Sequence, residues 1–452
     1  RVYHTLGAGD FNAHTWHEEV VYQVDLPRNA LAQWAVIESD RFEKPVFRLF
    51  QTELEAVYEE MNRALDNKMR AIQTAVDARL YKVHPYGQQP TLGTVEDLKN
   101  PSLKNLHSFY ETWYVPNNMA VFISGDINID ETIKIIDAQF SRWQPRELPP
   151  LPFWQEAPLT EREEVRVPFE GEDFVLLAFR TVPKNHPDAP ALQVLDMLLD
   201  NATAGLINLN LNQAQAVTQA GAFPMQLNDY GAEYLCGTPK PGQTHAEVEQ
   251  LLLKQLDILK QGAFEDWLLP AIVNDFKRNQ KTALESDESR VDRMRGSWID
   301  LEPWEHAIGF IDRIAQVRRE DIVRVANQYF SAGYIAGWRE DKPRTAPKVE
   351  KPVLPNIQID STRASAFADA VLEIPAPPLT PQYIEEGRDY TRKEDGRGIT
   401  YYHVHNPIND VFKLTIQVEL GTLEAPEADI AVRFLDRAGT EKYPAEALQK
   451  EW

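Results

Sequence analysis

Two proline-dense stretches divide this chain, and any fold must be built in the segments they leave. Pro145, Pro149, Pro150, Pro152 and Pro158 crowd the first, and the second runs from Lys342 to Pro381 with charge as well as proline. Proline fixes φ and lacks the N–H that a helix or a sheet ladder uses, so neither stretch reads as the interior of an element. With 452 residues the chain also exceeds a single core, and roughly two to four domains are expected.

Between these stretches strand and helix patterns alternate, as in α+β domains. Residues 20–26 are β-branched and aromatic and end at Pro27. Leu31, Trp34, Ile37 and Phe42 recur at helical spacing over 29–42. A second helix is expected from about Val46 into the mid-70s, with Phe50, Leu54, Val57, Met61 and Leu65 as its apolar stripe. His84-Pro85-Tyr86-Gly87, followed by Gly93, has turn chemistry and is expected as a loop. A helix over 102–113, a buried strand over 119–126 and a helix within 127–140, N-capped by Asp130, come next. After the first proline stretch the pattern restarts with a strand over 174–179 and helices over 190–199, 244–260, 264–285 and 319–330. From about Gly396 a new unit opens with strands over 399–404 and 412–420, and a helix starts near Pro444.

Composition removes several functions. The formal net charge of -22 speaks against nucleic acid, which needs a basic footprint. The 43% apolar content, with 10 Trp, 16 Tyr and 19 Phe, is enough to fill several cores. Cys236 is the single cysteine, so no disulfide framework exists; its setting reads as a small buried hydrophobe at a strand end. No apolar run approaches the ~18 residues of a membrane span, and the first thirty residues are polar and strand-like rather than a signal peptide.

Glu53 and Glu60 sit seven residues apart in the second expected helix, which places both on one face. Carboxylates there fit either a solvated helix edge or a metal ligand with a supporting neighbour. A catalytic zinc site needs about three protein ligands. The 10 histidines do not supply an H-x-x-E-H or H-E-x-x-H set: His17-Glu18-Glu19-Val20-Val21 has Val21 where a second histidine would stand. His14 and His17, and His403 and His405, are close in sequence and read as strand polar residues. No nucleophile elbow, phosphate loop or dinucleotide fingerprint is present.

Four segments together resemble the pitrilysin/insulinase family of zinc peptidases, the inverzincins. They are Gly7-Ala8-Gly9-Asp10-Phe11-Asn12-Ala13-His14-Thr15 with Tyr22 and Pro27, the Glu53–Glu60 helix, His84-Pro85-Tyr86-Gly87 with Gly93-Thr94, and Phe109-Tyr110 through Tyr114-Val115-Pro116-Asn117-Asn118-Met119 to Gly125-Asp126. The similarity continues at His186–Leu192, Gly205-Leu206 and Gly421–Pro426.

The resemblance implies an α+β fold of repeated pitrilysin-like domains, each an antiparallel-rich sheet covered by helices, within a two-half clam-shell. It implies a first peptidase-like domain over 1–150 without its N-terminal part and a second over 160–340. A linker over 341–394 and the start of a catalytically degenerate second half over 395–452 would follow. In the family, two histidines and a general-base glutamate come from H-x-x-E-H, and zinc-activated water cleaves peptides in an enclosed chamber. By the same resemblance Glu60 is the third zinc ligand and Glu53 its supporting carboxylate. Asn12 and Ala13 lie on the edge strand that receives substrate. Aligned on Gly439-Thr440, Ile430, Arg433 and Phe434 take the H-x-x-E-H positions in the later half, and none can ligate zinc. The zinc site of this sequence is therefore expected to be incomplete and this stretch inactive alone. The remainder of the polypeptide, or a companion bearing H-x-x-E-H, would complete it. The alternative is a non-catalytic member that binds peptides or supports a complex. By analogy with bacterial relatives the compartment is extracytoplasmic, periplasmic or at the outer membrane.

Overall fold

Two antiparallel strands, β1 (Phe11–Thr15) and β2 (Val20–Val24), form a hairpin with Asn12 opposite Gln23 and Ala13 opposite Tyr22. Among the described residues no other strand pairs with either of its edges. A computed structural model supplies the coordinates, and it describes all residues except 100, 202, 345–359, 361, 436, 446 and 449–452. Helices Leu31–Glu43, Leu103–Trp113 and Ile129–Phe140 accompany the hairpin. The Tyr22 ring meets Phe42 at 5.1 Å and Tyr114 at 6.3 Å, and Trp34 meets Phe140 at 6.2 Å. These edge and offset contacts are the favoured aromatic geometries.

The single helix expected from Val46 into the mid-70s is two helices, Phe50–Leu65 and Lys68–Leu80. The break falls at Asp66-Asn67, because the Asn67 side chain accepts the Arg70 N–H at 2.9 Å and starts a new helix as its N-cap.

The middle of the chain is organised by a mixed sheet of β3 (Glu163–Pro168), β4 (Phe174–Thr181), β5 (Gln219–Gln226), β6 (Gly231–Thr238) and β7 (Ile335–Glu340). The order is β3-β7-β4-β6-β5, with β3 and β7 parallel and all other neighbours antiparallel. β4 is central and buried on both faces, which explains its unbroken apolar run. Val175, Leu177 and Phe179 face a core closed by helices Ala189–Leu199, His245–Lys260 and Arg319–Tyr329. Leu176 and Ala178 face the other way, onto Ile72, Val76 and Leu80 of the Lys68–Leu80 helix. That helix crosses the sheet at Gly337, where an added Cβ would run into Val76. Thr244 and Glu247 form a reciprocal capping box that fixes the start of the His245–Lys260 helix.

Five expectations change. His84-Pro85-Tyr86-Gly87 is not a free loop: His84 N-caps a short helix, Pro85–Gln88, and proline suits its first turn. The N-cap near 130 is Asn128, which accepts the Glu131 N–H at 3.0 Å; Asp130 falls in the first turn instead. Residues 119–126 are extended but unpaired, with Val121 47% exposed, because no described strand lies alongside. Residues 412–420 are likewise unpaired among the described residues, where the late unit has one hairpin, β8 (Thr391–Glu394) with β9 (Thr400–His403). The expected 342–381 linker contains a helix, Ala366–Leu372, and residues 345–359 and 361 of it lie outside the described residues. The helix start near Pro444 also falls partly outside them.

Candidate functional site

Glu53 and Glu60 both lie on the Phe50–Leu65 helix and both are exposed. The opposite side of that helix buries Tyr58 and Met61 against Leu92, Val95 and Leu98. Tyr58 donates its hydroxyl to the Leu98 carbonyl at 2.7 Å. Glu53 occupies the first turn, where a carboxylate also complements the helix dipole. Seven residues at about 1.5 Å rise separate the two along the axis by roughly 10 Å. The pair supplies at most two of the ligands a zinc ion needs, and no group of three or more His, Cys, Asp or Glu side chains among the described residues could hold a metal. The residues present therefore do not by themselves fit a zinc centre, and no chemical step is assigned to one.

Asn12 and Ala13 lie on β1, whose five residues are all exposed. Asp25 donates its N–H to Asp10 at 2.7 Å, and Trp16 donates to Glu19 at 2.9 Å. Antiparallel alternation then turns the backbone of Asn12 and His14 toward β2 and that of Phe11, Ala13 and Thr15 toward the open edge. The Ala13 N–H is taken by the Asn12 side-chain oxygen at 2.9 Å.

The hairpin turn meets the mid-chain unit through a polar cluster that sequence reasoning did not find. The Glu18 carboxylate accepts the Asn228 N–H at 2.9 Å and the Tyr86 hydroxyl. Tyr86 oxygen in turn accepts the Asp229 N–H at 3.2 Å. His84 is 2% exposed. Its Nδ1 accepts the Tyr86 N–H at 3.2 Å, so Nε2 carries the proton and donates to Asp229 at 3.0 Å. Burial raises the Glu18 carboxyl, partly offset by its two donors. Burial also lowers His17, whose ring meets Tyr86 at 5.6 Å. The His-Pro-Tyr-Gly spelling was the available signal, but its partners at 18, 228 and 229 are far away in sequence.

His14 stands 3.3 Å from Glu19, while His403 and His405 are exposed at and beyond the end of β9. Ile430, Arg433 and Phe434 lie on an exposed helix, Ala428–Leu435. The Cys236 thiol sits on β6, pushed up to about 11 by burial. A buried pair of acids also escaped the sequence. Glu233 of β6 and Asp196 of the Ala189–Leu199 helix share a hydrogen bond, and burial raises both above the usual carboxyl range. Glu233 Oε1 and Asp196 Oδ1 have no hydrogen-bond partner among the described residues.

Comparison with known proteins agrees with this architecture. Residues 101–276 match the peptidase M16 inactive domain. The zinc protease PqqE of Helicobacter pylori is 25% identical over 295 residues, 62% of this chain and 64% of the relative, so the chain spans less than two thirds of that protein's length. A solved protease from Helicobacter pylori shares the fold at TM-score 0.70 and 20% identity, over 75% of this chain and 84% of that one. The periplasmic protease PqqL from Escherichia coli superposes at TM-score 0.61 and 15% identity, over 99% of this chain and 54% of that one. Residues 101–276 thus resemble the inactive domain of the M16 peptidases, and the α+β architecture is the fold of the solved M16-like proteases.

Proposed function

We propose that this chain forms part of a zinc metalloendopeptidase and holds extended peptides for it on the open edge of β1. The observation that carries the reading is that edge: Phe11, Ala13 and Thr15 turn their backbone away from β2 on a strand exposed along its whole length, with no described strand beside it. Such an edge binds peptides through main-chain hydrogen bonds and tolerates varied sequences. The overall acidity, a net charge of -22, favours basic segments. In this reading Asn12 and Ala13 contact substrate, Glu60 is one metal ligand and Glu53 supports it. The two histidines and the base come from an H-x-x-E-H segment outside these 452 residues, in the same polypeptide or a companion.

The proposed division is a first peptidase-like domain over 1–150, a second over 160–340, a linker over 341–394 and the opening of a degenerate half from 395. A periplasmic site is proposed from the named relatives; no described helix is long and apolar enough to cross a membrane. Changing Glu60→Gln in the complete enzyme tests the reading: zinc occupancy and activity should fall together, and unchanged activity would refute the assignment.

The match to an inactive domain favours a second reading, a non-catalytic member that binds peptides or supports an active partner. A complete gene product and complex without any H-x-x-E-H would decide for it.

A further inference from the structure

We propose that Glu18, Tyr86 and His84 are positioning residues: they clamp the β1–β2 hairpin to the turn between β5 and β6 and so set where the open β1 edge stands. The proposal rests on the reading of β1 as the edge that accepts peptide. A lone two-stranded hairpin is marginally stable in water, so its orientation must come from what holds it. β1 is exposed throughout and cannot hold itself by burial.

Tyr22 packs β2 on Phe42 and Tyr114 along its length, and a polar hold is added at the turn. Glu18 reaches out of the hairpin to Asn228 and Tyr86, and Tyr86 bonds onward to Asp229. His84 ties both ends of this chain of bonds, through the Tyr86 N–H and the Asp229 carboxylate. Glu19 adds a second tie, 3.3 Å from Arg295 on the Asp287–Ile299 helix. Asn228, Asp229 and Arg295 belong to the unit with the large core, so the turn end of the hairpin is tied to that unit. The short Pro85–Gln88 helix aims the phenol. Gly87 lies so close to the Asp77 and Tyr81 carbonyls that an added Cβ would collide with both. The helix is thereby seated on the Lys68–Leu80 helix.

An edge that wanders presents its donors and acceptors in register only part of the time, and apparent affinity falls by that fraction. The clamp therefore acts on peptide binding, and not on the step that breaks the bond.

Hydrogen exchange of this chain tests the clamp by itself. Tyr86→Phe and Glu18→Ala should speed exchange over residues 11–24 while β4 and β6 stay protected, which shows that the fold is intact. Glu18→Gln keeps an acceptor oxygen and should restore slow exchange. Unchanged exchange in Tyr86→Phe and Glu18→Ala would overturn the clamp. Binding of a fluorescein-labelled alternating Ala–Lys peptide tests the link to substrate: Tyr86→Phe should weaken it about tenfold. In the enzyme completed with an H-x-x-E-H segment, the same variant should raise KM about tenfold with kcat unchanged. A fall in kcat with unchanged KM would overturn the positioning role. Faster exchange with no peptide binding in any variant, wild type included, would instead refute β1 as the accepting edge and leave the clamp standing as a structural tie.

Discussion

β4 and residues 412–420 carry equally strong strand patterns, yet one is a central strand buried on both faces and the other is bare. β4 has β7 on one side, β6 on the other, and helices on both faces. In 412–420 the apolar side chains alternate without fault, but Phe412 is 87% exposed and Ile416 81%. No described strand pairs with this run. A period-two pattern records that a segment can line one face of a sheet. Whether it does depends on neighbours that supply hydrogen bonds and cover. Residues 119–126 repeat the lesson near the hairpin.

Truncating a covered side chain should have the largest effect. Leu177→Ala, at a fully buried β4 position, should cost about 3 kcal/mol in a denaturant titration. A cost under about 1 kcal/mol would mean that the β4 core is far looser than its contacts.

Titration sharpens the same contrast, because the covered unit also buries acids. Asp77 accepts the Tyr234 hydroxyl at 2.6 Å and is raised by burial from 3.8 to about 7. Its folded form keeps a proton that the unfolded chain has released, so stability is full below 3.8 and is lost as pH rises toward about 7. The slope is at most about 1.4 kcal/mol per pH unit for one group. Asp196 and Glu233 push in the same direction. The midpoint of thermal unfolding should fall between about pH 5 and about pH 7.5, and Asp77→Asn should flatten that fall. A midpoint that rises over this range would contradict the burial argument.

Smaller effects are expected at the candidate site. Glu60→Gln should reduce zinc affinity of the complete enzyme by at least about tenfold, read by metal analysis after dialysis. This chain alone should retain zinc weakly or not at all. Ala13→Pro removes the outward N–H, which a docking peptide would take over from Asn12 Oδ1, and spares the β1–β2 ladder, as edge prolines do. It should weaken peptide binding by about 1 kcal/mol with little change in stability. The smallest effect is the counterpart of the first: Ile416→Ala should lie within about 0.5 kcal/mol of the parent. A larger loss would show that 412–420 is covered in solution.

Much of the framework was legible because local chemistry agreed with the final packing. Ser102 and Thr244 mark real helix starts, accepting the Asn105 and Glu247 N–H groups. The β4 run announces a strand buried on both faces. β5 was harder to see, since Gly221 and Pro224 interrupt it; an edge strand tolerates both. β3 is a charged edge, and its parallel pairing with β7 joins residues more than 160 apart. At the candidate site the sequence could place Glu53 and Glu60 on one helix face and Asn12 and Ala13 on a strand. It could not show that Glu18 meets Asn228, or that Asp196 meets Glu233, because those encounters exist only after the sheet has formed.

The crossing of the Lys68–Leu80 helix over Gly337 has a practical consequence for handling the protein. Ile72 and Val76 are fully enclosed against strands that arrive long after the exposed stretch around Leu151 and Phe153. A protease that nicks the backbone there would yield two bands on a denaturing gel but one peak on a sizing column. Expressing the two pieces separately would leave each with an uncovered apolar face and a tendency to precipitate, whereas co-expression would let them find each other.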